Sequence, residues 1–315
     1  MRIVIAGGTG LIGTALTGAL ADAGHEVVVL TRRPPAEVRG LPRGARAERW
    51  DPASPGGWAG ALAAADAVVN LAGASIGTPP WTAARRREIM DSRLRATSGL
   101  AGAMRSLPAD ARPKALVSAS GVDYYGERGD EALDEGSARG GGVFLAEVCA
   151  RWEAAAMEAE PLGVRVVLLR TGLVLARAAP ALRLMALPFR LFAGGRTGSG
   201  RQWVSWVHLA DVVGLYSRAA ADPAVRGPLN AVAPGPVRNA ELAAEIGRAL
   251  HRPVWLPQPA PVLRLALGRQ SQLLLVSRRV LPRVALDLGY EFRYPALPAA
   301  LAEALGRSRQ GDDAT

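Results

Sequence analysis

Several things are scarce in this 315-residue chain, and each scarcity removes a class of explanation. Cys149 is the only cysteine, so neither an internal disulfide nor a cysteine zinc site can hold the fold. No apolar run reaches the length that spans a bilayer. The first residues enter a strand pattern without a signal-peptide signature, so the expected setting is cytoplasmic. Lys114 is the only lysine among 38 basic residues, and the formal charge of +10 is carried by scattered arginine. The longest basic run is Arg85-Arg86-Arg87, and no basic stretch is interleaved with aromatic residues, which make up 5% of the chain. That pattern argues against a nucleic-acid partner. A membrane partner is not expected either.

What is present is concentrated at the start, in MRIVIAGGTGLIGTAL. Arg2–Ala6 is a short apolar, β-branched run that reads as a buried strand, and from Leu11 the apolar spacing becomes helical. Gly7, Gly10 and Gly13 therefore occupy a strand-to-helix turn as G-x-x-G-x-x-G, the setting that gives the pattern meaning. Gly7 permits the tight turn, Gly10 lets a pyrophosphate approach the backbone, and Gly13 lets helix and strand pack closely. The first-turn N–H groups, including Leu11, Ile12 and Gly13, and the helix dipole suit an anion.

The second strand, Glu26–Leu30, runs into Thr31-Arg32-Arg33-Pro34. A carboxylate here would hold a ribose 2′-hydroxyl, as NAD requires. A threonine and two arginines stand there instead, and a guanidinium fork suits a 2′-phosphate. Thr31 and Arg32 are the expected contacts, and NADP(H) the expected cofactor.

Apolar runs alternate with helical stretches to about residue 170. The runs are Arg2–Ala6, Val27–Leu30, Ala45–Trp50, Ala67–Leu71, Ala115–Ser118 and Val164–Leu169. The expected fold is α/β, a Rossmann-type doubly wound parallel sheet over residues 1–170 with returns to the sheet around 204–232. A smaller, mostly helical substrate lobe is expected from 171–203 and 234–306, with a tail at 307–315. Val204–Leu209 reads as a strand, with Asp211 capping the next helix.

Further motifs resemble the extended short-chain dehydrogenase/reductase superfamily over most of the chain. Asn70-Leu71-Ala72-Gly73 is similar to the N-x-A-G loop beside the adenosine part of the cofactor. Ser118-Ala-Ser-Gly-Val-Asp-Tyr-Tyr-Gly126 and Trp206-Val-His-Leu-Ala-Asp211 resemble two later superfamily elements. Asp91-Ser-Arg93, Phe144-Leu-Ala-Glu-Val-Cys149, Gly198-Ser-Gly200 and Asn230-Ala-Val-Ala-Pro234 narrow the resemblance. They match an atypical "epimerase family protein" subgroup, sugar-nucleotide-epimerase-like, with a short C-terminal domain of undefined role. The resemblance implies NADP binding, with Glu88 and Arg93 as a polar pair facing the nucleotide and a possible homodimer. Arg170, at the end of the sixth strand, is a further candidate cofactor contact.

The resemblance also implies a Tyr-x-x-x-Lys pair, in which lysine lowers the tyrosine pKa for proton transfer. The sequence has none: alignment on Glu153 puts Leu145 at the tyrosine position and Cys149 at the lysine position. Ser120 and Tyr125 are the candidate catalytic substitutes, beside Tyr124. His208 reads as structural and Cys149 as core. Two readings stand: an NADP(H)-dependent oxidoreductase or epimerase-like enzyme of unusual activity, acting on a small molecule the sequence does not name, or a catalytically silent regulatory or redox-sensing NADP(H) module. Arg196, Arg201 and Arg238 are candidate anion-binding groups in the second lobe.

Overall fold

A computed structural model describes residues 1–54 and 56–306; the tail expected at 307–315 lies outside the described residues. Seven strands form the central sheet: β1 (Arg2–Ala6), β2 (Glu26–Thr31), β3 (Ala45–Arg49), β4 (Ala67–Asn70), β5 (Ala115–Gly121), β6 (Arg165–Thr171) and β7 (Gly227–Ala231). Their order is β3-β2-β1-β4-β5-β6-β7, and every neighbouring pair is parallel. A parallel sheet is buried on both faces, which explains the unbroken Val/Ile/Leu/Ala runs.

Alternation along each strand sorts those side chains into two cores. Ile3, Ile5, Val27, Val29 and Val69 pack with helices α1 (Leu11–Asp22) and α5 (Leu209–Ala221). Val4, Val28, Val68 and Leu116 pack on the other face, with Leu100 and Met104 of α2 (Ala83–Ser106) and Ala156 of α3 (Phe144–Met157). The sheet reverses direction between β1 and β4, so its carboxyl edge opens there into the crevice where ligands of such folds sit.

A third core belongs to residues beyond β6, on both sides of β7 in sequence. Leu182 and Phe189 of α4 (Pro180–Arg190), Trp206, Ile246 of α6 (Asn239–Leu250) and Leu301 of the helix Leu297–Leu305 meet there. The helix α7 (Ala260–Leu267) joins none of these cores and has no buried residue.

The expected strand over Val204–Leu209 is shorter, Trp206–His208, with a separate pair at Trp203–Val204. Asp211 does not cap α5. His208 is the N-cap, its Nδ1 accepting from the Ala210 N–H at 3.2 Å. Asp211 instead accepts from the Arg293 and Tyr294 N–H groups at 2.7 and 3.0 Å and ties the C-terminal segment to α5. Among the described residues no helix is long and apolar enough to cross a membrane, and no cluster of His, Cys, Asp and Glu could hold a metal.

Burial sets the stability prediction for this architecture. Leu100 is fully buried and Leu265 is 90% exposed. Leu100→Ala is expected to cost about 2–5 kcal/mol, and Leu265→Ala within about 0.5 kcal/mol of nothing. Urea midpoints of the two variants check this.

Candidate functional site

The glycine turn is built as a cradle. Gly7 lies at φ 83°, and a Cβ there would come within 2.8 Å of the Leu71 backbone. A Cβ on Gly13 would lie 2.3 Å from the Gly7 carbonyl oxygen, so α1 starts pressed against the end of β1. Gly10 differs: its Cβ would meet only the Gly7 oxygen at 3.5 Å, and the space beyond is open. Gly10 is the N-cap of α1 and its carbonyl accepts the first helical bond, from Thr14 N–H at 2.8 Å. The N–H groups of Leu11, Ile12 and Gly13 precede that bond and have no helical acceptor. No acidic residue occupies the first turn, so the dipole there is uncompensated.

The rim of the crevice comes from neighbouring strand ends. Ala6 lies in register with Leu30 of β2 and Asn70 of β4. Asn70 Oδ1 accepts from Ala72 N–H at 3.2 Å and shapes the Leu71-Ala72-Gly73 turn. Arg93 reaches this turn from α2. Its Nη1 donates to Ala74 O and Ile89 O at 2.9 and 3.0 Å, and its guanidinium lies over the Trp152 ring. Burial lowers its pKa, and among the described residues it forms no ion pair. A half-buried guanidinium without a carboxylate suits an anionic ligand. Glu88 faces away: it is exposed and pairs with Arg85 at 2.6 Å, so the expected polar pair is divided between crevice and solvent.

At the end of β2, Thr31 is buried and its Oγ1 accepts from Arg33 N–H at 3.1 Å. Arg32 is exposed to solvent. A cavity of about 140 Å³ lies beside it, lined by Gly8, Thr9, Arg33 and Arg39 among others. Thr17, also on its wall, is buried with its hydroxyl unpartnered. Arg39 carries no motif and sits in the loop before β3; only the second-arginine-in-a-loop pattern could have marked it.

The far half of the edge is arranged differently. Strand register sets Ser120 beside Arg170 and Arg170 beside Asn230. Glu153 from α3 closes over this row. It accepts from Arg170 Nε and Nη2, both at 2.8 Å, and from the Ser120 hydroxyl at 2.7 Å. Tyr125 donates its hydroxyl to Asn230 Oδ1 at 2.8 Å and accepts from Arg170 Nη1 at 3.0 Å. All of these side chains are buried, and burial pushes the Tyr125 pKa up to about 12. Ser120 and Tyr125 thus spend their hydroxyl protons on internal acceptors, and Arg170 is bound to Glu153 rather than presented to a phosphate. Leu145 and Cys149 are buried too, and burial raises the Cys149 thiol pKa to about 12. His208 Nε2 lies 2.8 Å from Glu303, a link between α5 and the C-terminal helix.

A second cavity, of about 390 Å³, lies in the lobe next to the turn that follows β5. Glu127, Asp130, Arg201, Arg238 and Arg264 are on its wall. Arg238 is paired with Asp130 at 2.7 Å. Arg196 does not line it; its Nη1 donates to Ser199 O.

The family described as NAD dependent epimerase/dehydratase matches residues 3–231, and a domain of unknown function, DUF1731, matches residues 258–304. An Arabidopsis thaliana protein, "Epimerase family protein SDR39U1 homolog, chloroplastic", is 40% identical over 306 residues, covering 96% of this chain and 86% of that protein. The crystal structure of human epimerase family protein SDR39U1 (isoform 2) with NADPH is 38% identical, with a TM-score of 0.84 over 96% of this chain and 99% of that one. A nucleoside-diphosphate sugar epimerase structure from Corynebacterium glutamicum is 34% identical at TM-score 0.75, covering 97% of this chain and 58% of that chain.

Glu153→Ala leaves Arg170 buried and unpaired, an expected loss of about 3–5 kcal/mol in chemical denaturation. Folded Cys149 keeps its proton to about pH 12, whereas its ordinary value is 9.0. This contribution to stability is therefore intact below pH 9 and falls as pH rises towards 12. Thermal melts of the parent should drop over that range more steeply than those of Cys149→Ala. An equal drop would show that the thiol ionises at its ordinary value in the fold.

Proposed function

The chain belongs to the NAD dependent epimerase/dehydratase family, and we propose that it binds NADP(H) in the β1–β4 crevice while lacking the family's proton relay. The observation that carries this reading is the contrast between the two halves of one sheet edge. The Gly7–Gly13 cradle is open at Gly10 and rich in unused N–H groups, whereas the hydroxyls of Ser120 and Tyr125 are closed into a buried network. The NADPH of the human relative's crystal structure supports the cofactor assignment.

On this reading Gly10, Leu11, Ile12 and Gly13 hold the pyrophosphate through backbone N–H groups. Leu71, Ala72 and Gly73 flank the adenosine, and Arg93 meets a cofactor oxygen from the side. Thr31, Arg32 and Arg33 border the ribose, with Arg33 and Arg39 walling the small cavity that suits a 2′-phosphate. With the cofactor bound in the crevice, its nicotinamide would supply a two-electron redox couple. The chain's own residues position and shield the cofactor; Tyr125, held neutral and internally bonded, keeps its proton near neutral pH. The 390 Å³ lobe cavity, where Arg201 stands near Asp130 but in no close ion pair among the described residues, is the proposed substrate pocket.

Calorimetric titration with NADPH and NADH tests the cofactor half. NADPH is expected to bind at least about tenfold tighter, worth about 1.4 kcal/mol. Arg33→Ala with Arg39→Ala should remove most of that gap while leaving NADH affinity unchanged. Equal affinities in the parent would sink the reading. For the chemical half, NADPH oxidation with simple aldehydes, ketones and nucleotide sugars is expected to run about 10²–10⁴-fold below ordinary dehydrogenase rates, the usual loss without a general acid. Turnover on the order of 10 s⁻¹ would contradict it.

A further inference from the structure

Two stretches of the chain contain no acidic residue: 161–210 and 246–286, each with seven arginines. The fold brings parts of them together. Trp255 and Leu256 both donate their N–H groups to Gly194 O, and Gln258 donates to Arg196 O. The surface over this seam is apolar: Leu191 is 68% exposed, Phe192 55% and Trp255 64%. Val254 and Leu256 beside them are exposed as well, as are Val262 and Leu265 on α7.

Phe192 is held in this display. Its φ is 60°, a left-handed conformation that costs a bulky residue energy. The Trp255 indole N–H donates to Phe192 O at 2.8 Å, and the Arg252 guanidinium lies 4.5 Å from the Phe192 ring centre. Phe, Trp and Leu side chains presented side by side to water are the mark of an interaction surface.

Charge selects which partner. Arg183, Arg190 and Arg252 rim the face, and among the described residues none of them pairs with a carboxylate. The nearest acid in sequence, Glu245, is already bound to Arg248. A second copy meeting this face across a two-fold axis would set arginine against arginine with no acid to answer it. A surface that is apolar beneath an anionic layer satisfies both halves of the pattern. We propose that this face docks on an anionic lipid surface, with Phe192, Trp255 and Leu191 entering the interfacial layer and the arginines contacting lipid phosphates. The absence of a membrane-spanning helix is compatible with this, because the face rests on the bilayer rather than crossing it.

Vesicle flotation of the full chain tests it. Vesicles of phosphatidylcholine with 30% phosphatidylglycerol should bind the protein at least tenfold more tightly than phosphatidylcholine alone, and 0.5 M NaCl should weaken that binding severalfold. Phe192→Ser with Trp255→Ser should lose at least tenfold, while circular dichroism and NADPH affinity stay unchanged; Arg190→Gln with Arg252→Gln should lose the preference for anionic lipid. Equal binding to both vesicles, or none, overturns the proposal. So does a concentration-dependent dimer in analytical ultracentrifugation that the Phe192/Trp255 variant abolishes, or a salt-sensitive affinity for duplex DNA exceeding that for the vesicles.

Discussion

The bidentate contact between Glu153 and Arg170 organises the half of the molecule where chemistry would be expected. Three parallel strands arrive in register with Ser120, Arg170 and Asn230 abreast, and a buried guanidinium in that row demands a counter-charge. Glu153 supplies it from α3, which fixes the helix against β5 and β6. The remaining polar atoms then satisfy one another: Ser120 bonds Glu153, and Tyr125 bridges Arg170 and Asn230. Such a pair adds little net stability over an apolar equivalent, but removing one partner is costly, so the network locks the arrangement more than it deepens the fold.

That lock has a chemical consequence. A general acid needs a proton it can release towards a substrate, with a pKa near the working pH. In this fold the Tyr125 hydroxyl is directed at Asn230, and burial raises its pKa away from that range. The nucleotide half of the same edge follows the opposite rule. There the backbone is bare: Gly10 leaves space, the first turn of α1 has spare N–H groups, and Arg93 sits half-buried without a carboxylate. One half of the edge is closed on itself and the other is open to an anion.

The sheet and the glycine cradle were legible because they depend on local pattern. Apolar runs and a G-x-x-G-x-x-G turn are written in consecutive residues, and six of the seven parallel strands follow from them; β7 reads only as a return to the sheet, and the strand at Trp206–His208 pairs outside it. The polar network was not, because it depends on register between strands and on Glu153, a helix residue 17 positions before Arg170. Arg170 at a strand end looks the same in sequence whether it faces a phosphate or a carboxylate. Glu88 and Arg93 lie on one helix, yet one turns outward to Arg85 and the other inward to Gly73. Asp211 reads as a helix cap, but His208 fills that place and frees Asp211 to hold the backbone of Arg293 and Tyr294. Arg39 was missed because a loop arginine in an arginine-rich chain carries no periodicity.

Tyr125 is the residue whose place in the framework, rather than as a proton donor, decides between a closed and a working site. Carbon-13 labelling at tyrosine Cζ, with Tyr125→Phe to assign the signal, measures this in solution. The resonance should stay in its neutral position through pH 10 and should not change its titration when NADPH saturates the protein. A Tyr125 signal that titrates near neutral pH, with or without the nucleotide, would contradict the account.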